Sequence, residues 1–359
     1  MRCRAFIHPA NQCDFPGCAH CLVSTYRRGR KPAEENHGGN LTGAAALLAS
    51  VPLQGAQGFA PQSGQQAPAF YRYKVGDIEI TTVNDGVGAL PIDDGFILNV
   101  PKDQVNSYLQ SIFMQPNIYS GPYNPVLINN GKQLALLDTG QGEANLTLSK
   151  GLNGRLLQNL KAAGIDPKDI DLVILTHYHG DHINGLLRAD NSLAFPNAEI
   201  LVPEVEDKFW MDDGNMARAA TPRMEFNFKN IRRVMTKDVR SRLRPYQWDK
   251  EVMSGVTSMA TTGHTPGHTS FNVVSGNKSL FMQGDVTHAP FLFARNPGWH
   301  LFLDVDPVAA EATRRRVYDM LAAERMMVQG FHYPFPAIGN VEKTATGYRE
   351  TLVQWSPVL

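Results

Sequence analysis

The sequence is short of cysteine, of net charge and of long apolar runs. Its four cysteines, Cys3, Cys13, Cys18 and Cys21, all lie at the start of the 359-residue chain, so the remainder can form no disulfide. The 34 Lys and Arg balance the 34 Asp and Glu, which argues against a nucleic-acid partner. The apolar segment within residues 41–60 is too short for a transmembrane span, and no GxSxG motif offers a serine nucleophile.

Residues 1–66 differ in composition from the rest and are predicted to be a leader or disordered segment before a folded domain at 67–359. The run CDFPGCAHC could form a small zinc knuckle, but no second cysteine pair completes it. A basic patch at residues 27–31 precedes the apolar segment 41–60, an order similar to that of a twin-arginine export signal. This order predicts a periplasmic or secreted protein, with a cytoplasmic location as the alternative.

The densest group of metal-binding side chains lies in residues 171–186, DLVILTHYHGDHINGL. An apolar stretch there predicts a short buried strand, and His177, His179, Asp181 and His182 follow it. His177 and His179 are two residues apart, so on extended chain both rings point to the same side. Asp181 and His182 are neighbours and can face a second point, so each pair is predicted to serve its own metal ion. Imidazoles and carboxylates without thiolate favour zinc, with manganese, cobalt or iron as alternatives.

Three further candidate ligands follow predicted strands downstream. His264 lies in TTGHTPGH, Asp285 in SLFMQGDVTH and His332 in MMVQGFHYPFP. Loops at one edge of a sheet are a common place for chemistry. Together with the first four, these residues make the seven ligands that a site for two metal ions needs.

The combination of HxHxDH, GHTPGH, GD and a late histidine resembles the metallo-β-lactamase superfamily, from about Tyr71 to the C-terminus. The closer likeness is to methyl parathion hydrolases and related organophosphorus hydrolases, through LKAAGIDPKDIDLVILTHYHGDHINGL, AFPNAEI, DKFW, GHTPGHTSF and HYPFPAIGNVEKTATGYR. The resemblance implies one ion on His177, His179 and His264, a second on Asp181, His182 and His332, and Asp285 as the bridge. It also implies a homodimer.

Strands and helices alternate along the chain in two similar halves, which on packing grounds alone predicts only a mixed α and β domain. The resemblance implies the α+β class and a four-layer αββα sandwich, with two sheets face to face and helices outside. Apolar spacing predicts one helix over residues 145–163 and another over Pro307–Ala323. Residues 87–122 show few periodic signals beyond a short helix at 104–113.

The expected reaction is hydrolysis of a small-molecule ester by a metal-bridging hydroxide, with Asp181 and Asp285 as catalytic carboxylates. Two bound ions can bring the pKa of a shared water from about 15.7 towards about 7. Asp285 at a bridging position argues against a β-lactam substrate, and the neutral charge argues against RNA. An organophosphate triester is the first candidate, and a lactone such as an acyl homoserine lactone, or a carboxylic ester, is the alternative. A non-catalytic binding protein fits poorly with an intact ligand set.

An apolar pocket is predicted beside the metal ligands. Its predicted residues are Phe209, Trp210, His288, Phe291 and Phe293, with Trp299 and Phe302 nearby. Each aromatic residue could instead pack in the core. His268 is predicted to be a hydrogen-bonded structural histidine, and Asp138 either supports a ligating histidine or caps the loop that follows it.

Overall fold

The structure is a computed structural model that describes residues 60–64 and 66–359, and the folded unit is Ser63–Leu359. The cysteines and the basic patch lie outside the described residues, so the leader and export hypotheses stay predictions. Within the described part of the chain, no helix is both long and apolar enough to cross a membrane.

The strands assemble into two large sheets and one hairpin. In chain order the strands are β1 (Phe70–Val75), β2 (Ile78–Val83), β3 (Gly86–Pro91), β4 (Ile118–Tyr123), β5 (Val126–Asn129), β6 (Leu134–Leu137), β7 (Leu172–Ile174), β8 (Glu199–Pro203), β9 (Leu243–Tyr246), β10 (Glu251–Met253), β11 (Val256–Ala260), β12 (Thr269–Ser275), β13 (Lys278–Met282), β14 (Met327–Gln329), β15 (Ile338–Lys343) and β16 (Tyr348–Leu352). One seven-stranded sheet has the order β1-β2-β5-β6-β7-β8-β9, the other runs from β10 to β16 in sequence order, and β3 pairs with β4.

Helices occupy the connections between strands. They are α1 (Lys102–Ser111), α2 (Ala144–Leu148), α3 (Leu156–Ala162), α4 (Gly180–Ile183), α5 (Glu204–Met211), α6 (Asp213–Ala217), α7 (Pro222–Val234), α8 (Lys237–Arg240) and α9 (Pro307–Glu324). Short 3₁₀ turns lie at Pro167–Asp169 and Asn184–Leu186, and a π-helical turn lies at Pro290–Ala294. The helix predicted over Pro307–Ala323 is present as α9.

Alternating side chains of the central strands face different layers, as the two-residue period of a strand requires. In β6, Leu136 packs towards α3, whereas Ala135 and Leu137 pack between the two sheets. In β13, Leu280 faces the same inter-sheet core, and Phe281 faces α9 with Val317. Two sheets packed face to face with helices on both outer faces form the four-layer αββα sandwich, which confirms the predicted fold.

Two pairs of parallel strands place the candidate ligands. β6 runs parallel to β7 in the first sheet, and β13 runs parallel to β14 in the second. Parallel neighbours end at the same sheet edge, so the loops that leave them lie side by side. Asp138 and His177 follow the first pair, and Asp285 and His332 follow the second.

Two local predictions are corrected. The helix predicted over 145–163 is two helices, α2 and α3, because Gly151 and Gly154 adopt left-handed φ angles of 85° and 82° between them. A Cβ at Gly154 would lie 2.6 Å from the Gly142 carbonyl oxygen, so the chain turns where only glycine fits. Residues 87–122, predicted to be largely irregular, contain the β3–β4 hairpin in addition to α1.

Candidate metal centre

The structure brings all seven predicted ligands together from both sheets. One group of donor atoms comes from His177, His179 and His264, and a second comes from Asp181, His182, Asp285 and His332. Within each group the donor atoms lie within 4.8 Å of one another. All are buried except the partly exposed Asp181. The first group is the set that the family resemblance implied for one ion, and the second is the set implied for the other ion together with the bridging Asp285. A third group, His264, Asp285 and His288, includes a histidine that the resemblance did not assign as a ligand. Each group could hold a metal ion.

Asp285 is at the centre of the cluster. Its Oδ2 lies 3.2 Å from Nε2 of His332, 3.3 Å from Nε2 of His182, His264 and His288, and 3.8 Å from Nε2 of His177. Its Oδ1 is buried and makes no hydrogen bond within the described residues. A carboxylate surrounded by ring nitrogens on one oxygen and unpartnered on the other suits a position between two cations.

A hydrogen-bonded chain orients His177 and His182. His182 Nδ1 lies 2.8 Å from Asp138 Oδ2, and since a carboxylate only accepts, the ring N–H donates. The Thr176 hydroxyl donates to Asp138 at 2.8 Å, which leaves its oxygen to accept from Nδ1 of His177 at 2.9 Å. Asp138 therefore supports the ligating histidines, one of the two roles predicted for it.

Two more histidines are oriented in the same way. His264 Nδ1 donates to Asp304 Oδ1 at 2.8 Å, and Asp304 is itself 3.5 Å from the buried guanidinium of Arg314. His332 Nδ1 donates to the carbonyl oxygen of Pro122 at 2.9 Å. Each ring thus donates through Nδ1 and turns Nε2 towards the cluster, where that nitrogen would offer its lone pair to a bound ion, as in metal-binding histidines.

The electrostatics of the cluster fit a cation. Although burial lowers it, hydrogen bonds to Asp285 and Asp304 raise the pKa of His264 to about 9. Burial lowers the pKa of His332 as well, but the negative charge of Asp285 outweighs burial and raises that pKa to about 9. Burial lowers the pKa of His177 well below its ordinary value. The carboxylates thus draw positive charge inward, and bound divalent ions would supply that charge while the rings acted as neutral ligands.

His268 is not a ligand, as predicted. Its Nδ1 lies 3.0 Å from the carbonyl oxygen of Thr261 and donates to it. Its Nε2 accepts the backbone N–H of Asp285 at 2.9 Å. Both ring nitrogens are therefore occupied, and the ring holds the Asp285 backbone in place.

Glu206, at the start of α5, joins the two loops that carry His177, His179 and His264. Its buried carboxylate accepts from the backbone N–H of Tyr178 at 3.0 Å and of Gly267 at 2.7 Å. Burial raises the pKa of this carboxyl, and the hydrogen bonds oppose that effect. Sequence reasoning missed Glu206 and Asp304, because each acts on a loop far away in sequence.

A cavity of about 150 Å³ opens onto the cluster. The β3–β4 hairpin forms one wall through Leu90, Tyr119 and Tyr123, and Arg223 and Leu303 lie on other sides. The hydroxyl of Tyr119 is buried and has no hydrogen-bond partner among the described residues. This wall was missed because the hairpin itself was not predicted.

Of the five predicted pocket residues, the structure places only His288 on this cavity. The other four are corrected. Phe209 and Trp210 pack against Phe228 in the core outside the first sheet. Phe293 is fully buried, and Phe291 borders a separate cavity beside α1. These rings are drawn into apolar clusters, where they bury more surface than a cavity wall allows.

Residues 119–328 match the sequence model of the metallo-beta-lactamase superfamily. With this match and the ligand cluster in place, the chain belongs to that superfamily.

Particular relatives are lactonases. N-acyl homoserine lactonase AiiA of Bacillus thuringiensis subsp. kurstaki is 24% identical over 213 residues, which cover 57% of this chain and 74% of that protein. N-acyl homoserine lactonase AttM of Azorhizobium caulinodans is 30% identical over 115 residues, 32% of this chain and 40% of that protein. These relatives therefore do not support the predicted closer likeness to organophosphorus hydrolases.

Solved structures agree with the fold over nearly their whole length. AidC, a dizinc quorum-quenching lactonase in complex with a product, is 26% identical with a TM-score of 0.74, covering 80% of this chain and 99% of AidC. The hydrolase AbOPH of the beta lactamase superfamily is 27% identical with a TM-score of 0.74, covering 81% of this chain and 100% of that one. The chain is a metal-dependent hydrolase that acts on ester bonds.

Proposed function

We propose that this chain is a lactonase that opens the ring of N-acyl homoserine lactones with the help of two divalent ions, zinc in preference to manganese, cobalt or iron. The likeness to AidC carries the proposal, because that dizinc lactonase is similar over 99% of its length and was solved with a product. We therefore prefer the lactone to the organophosphate triester that the sequence favoured, and the lactonase relatives described above support that choice.

The two donor groups support an assignment of the ligands. His177, His179 and His264 would hold one ion, Asp181, His182 and His332 the other, and Asp285 would lie between them. When bound, such ions lower the pKa of a coordinated water to about 7 and polarise an ester carbonyl. The hydrogen bonds on the far nitrogens of the rings keep the donor set in place before any ion arrives.

Residues on the cavity wall would handle the substrate. Burial raises the pKa of Tyr119 well above its ordinary value, so its hydroxyl stays protonated and can donate to the substrate carbonyl oxygen. Asp181 and Asp285 face the same cavity and can accept a hydrogen bond from the attacking water. Water oxygen bonds to the carbonyl carbon, the ring C–O bond breaks, and the proton passes to the leaving alkoxide, which gives a hydroxy acid.

The first experiment measures metal content and then hydrolysis of an N-acyl homoserine lactone, an aryl carboxylic ester and an aryl phosphotriester. We expect about two zinc ions per chain and the highest kcat/KM on the lactone. Highest turnover on the phosphotriester would restore the triester assignment. A metal-free protein without turnover on any of the three would reject the function.

A further inference from the structure

A second cavity of about 390 Å³ adjoins the metal cavity along α7 and the segment that precedes α9. Its walls are mostly apolar and include Ala220, Met224, Phe302 and Val305. Leu303 lines both cavities, so the two meet at this point. We call the second cavity the acyl groove. It offers an apolar path that begins beside the metal ligands.

Arg223 also lines both cavities and stands at their junction. Its guanidinium carbon lies 4.8 Å from the ring centroid of Phe302, which holds the planar group in place. Within the described residues Arg223 makes no hydrogen bond and no ion pair. The buried Arg314, in contrast, donates to the carbonyl oxygens of Val286, Pro297 and Trp299. The N–H donors of Arg223 are therefore available to a bound molecule.

We infer that the acyl groove binds the apolar acyl chain of the lactone substrate, and that Arg223 donates a hydrogen bond to the amide carbonyl joining that chain to the ring. The inference rests on the proposed function and extends it to chain length. A lactone carbonyl placed over Asp181 and Asp285 has its amide one bond beyond the ring. The chain then leaves the metal cavity through the junction where Arg223 and Leu303 lie.

The groove predicts a preference for long chains. Each buried CH₂ strengthens binding by about two- to fourfold while the groove still has room. The kcat/KM of the wild-type protein should therefore rise with chain length from four to about ten carbons. The same rise is expected for p-nitrophenyl esters of the same acids, because their chains can occupy the same apolar groove.

Ala220→Trp tests the groove directly. Ala220 is exposed on the groove wall, so the larger side chain can fill the groove without disturbing the core. We expect the variant to lose at least tenfold more kcat/KM on decanoyl than on butanoyl substrates. Leu148→Trp, at a position 79% exposed that lines neither cavity, is the matched control and should behave as wild type. An equal loss at every chain length in Ala220→Trp would overturn the inference.

Arg223→Met tests the polar contact. We expect KM for decanoyl homoserine lactone to rise about tenfold and KM for p-nitrophenyl decanoate, which has no amide, to rise much less. Arg223→Lys, which keeps a donor, should recover part of the loss, and the exposed Arg218→Met is the control. Titration calorimetry of metal-free protein with ring-opened N-decanoyl homoserine should show weaker binding by Arg223→Met. Equal effects on both substrates, or unchanged binding, would remove Arg223 from the site.

The two substrate series separate this inference from the proposed function. Turnover of esters without turnover of any lactone would reject the lactonase function. The dependence of kcat/KM on ester chain length would then still show whether the groove binds an acyl chain. Absence of turnover on both series would overturn both.

Discussion

The indole N–H of Trp210 donates to Oε1 of Glu206, one helical turn earlier on α5, at 2.7 Å. The other oxygen of Glu206 accepts the hydroxyl of Thr265 at 2.9 Å, in the loop that holds His264. Trp210 is fully buried as part of this joint. Its role is therefore to fix the carboxylate that joins two ligand-bearing loops.

Glu206→Ala should destabilise the protein and loosen the metal centre. Buried donors on Tyr178, Trp210, Thr265 and Gly267 would lose their acceptor, which costs about 2–4 kcal/mol in the free energy of unfolding. Urea unfolding measures the change. Glu204→Ala, on the same helix and paired with the exposed Lys208, is the control and should change stability far less. Similar losses in both variants would contradict this role.

Asp304→Asn should weaken metal binding by about 10- to 100-fold. The amide can present its NH₂ to His264 Nδ1, which favours the wrong ring tautomer, and it leaves the buried Arg314 without its counter-charge. Competition with a chromogenic chelator measures the affinity. Asp77→Asn, on the exposed turn between β1 and β2, should bind zinc as the wild type does. Unaltered affinity in Asp304→Asn would show that the ring needs no anchor.

His177→Ala and Asp285→Asn should each lower metal occupancy and hydrolysis by orders of magnitude, because each removes a donor from the centre of the cluster. Metal analysis and steady-state kinetics on the same preparations test this. His300→Ala is the matched control, since His300 pairs with Glu311 outside the cluster. Near-normal occupancy and turnover in the first two variants would reject the ligand assignment.

Tyr119→Phe should reduce kcat/KM by about 10- to 100-fold with little change in stability. The hydroxyl has no partner among the described residues, so the folded protein loses no internal hydrogen bond when it is removed. Tyr71→Phe, half-buried on β1, is the control. Unchanged kinetics in Tyr119→Phe would mean that this hydroxyl does not reach the substrate.

The metal ligands could be predicted because each follows a short apolar strand. The ends of β7, β13 and β14 are visible as apolar runs, and parallel pairing brings the residues after them to one edge. The spacing within HxHxDH also indicates that His177 and His179 point to one side and that Asp181 and His182 can face a second point. Local sequence therefore holds most of what is needed to find the cluster.

The cavity wall and the supporting carboxylates could not be predicted in the same way. The β3–β4 hairpin contains Gly88 and Gly121, whose missing side chains make room for tyrosine hydroxyls, so its composition resembles that of a loop. Glu206 and Thr265 are 59 residues apart, and no local pattern joins them. Aromatic residues near the motifs suggested a pocket, but Trp210 belongs to the core because its N–H finds a buried acceptor.

The two sheets contribute different halves of one cluster, in a domain whose described residues contain no cysteine. Bound ions would therefore act as reversible cross-links between the N-terminal and C-terminal halves of the chain, in the role that disulfides fill in many secreted enzymes. Removing them with a chelator is then the counterpart of reduction. It should make the two sheets melt less cooperatively, and returning zinc should join them again into a single transition.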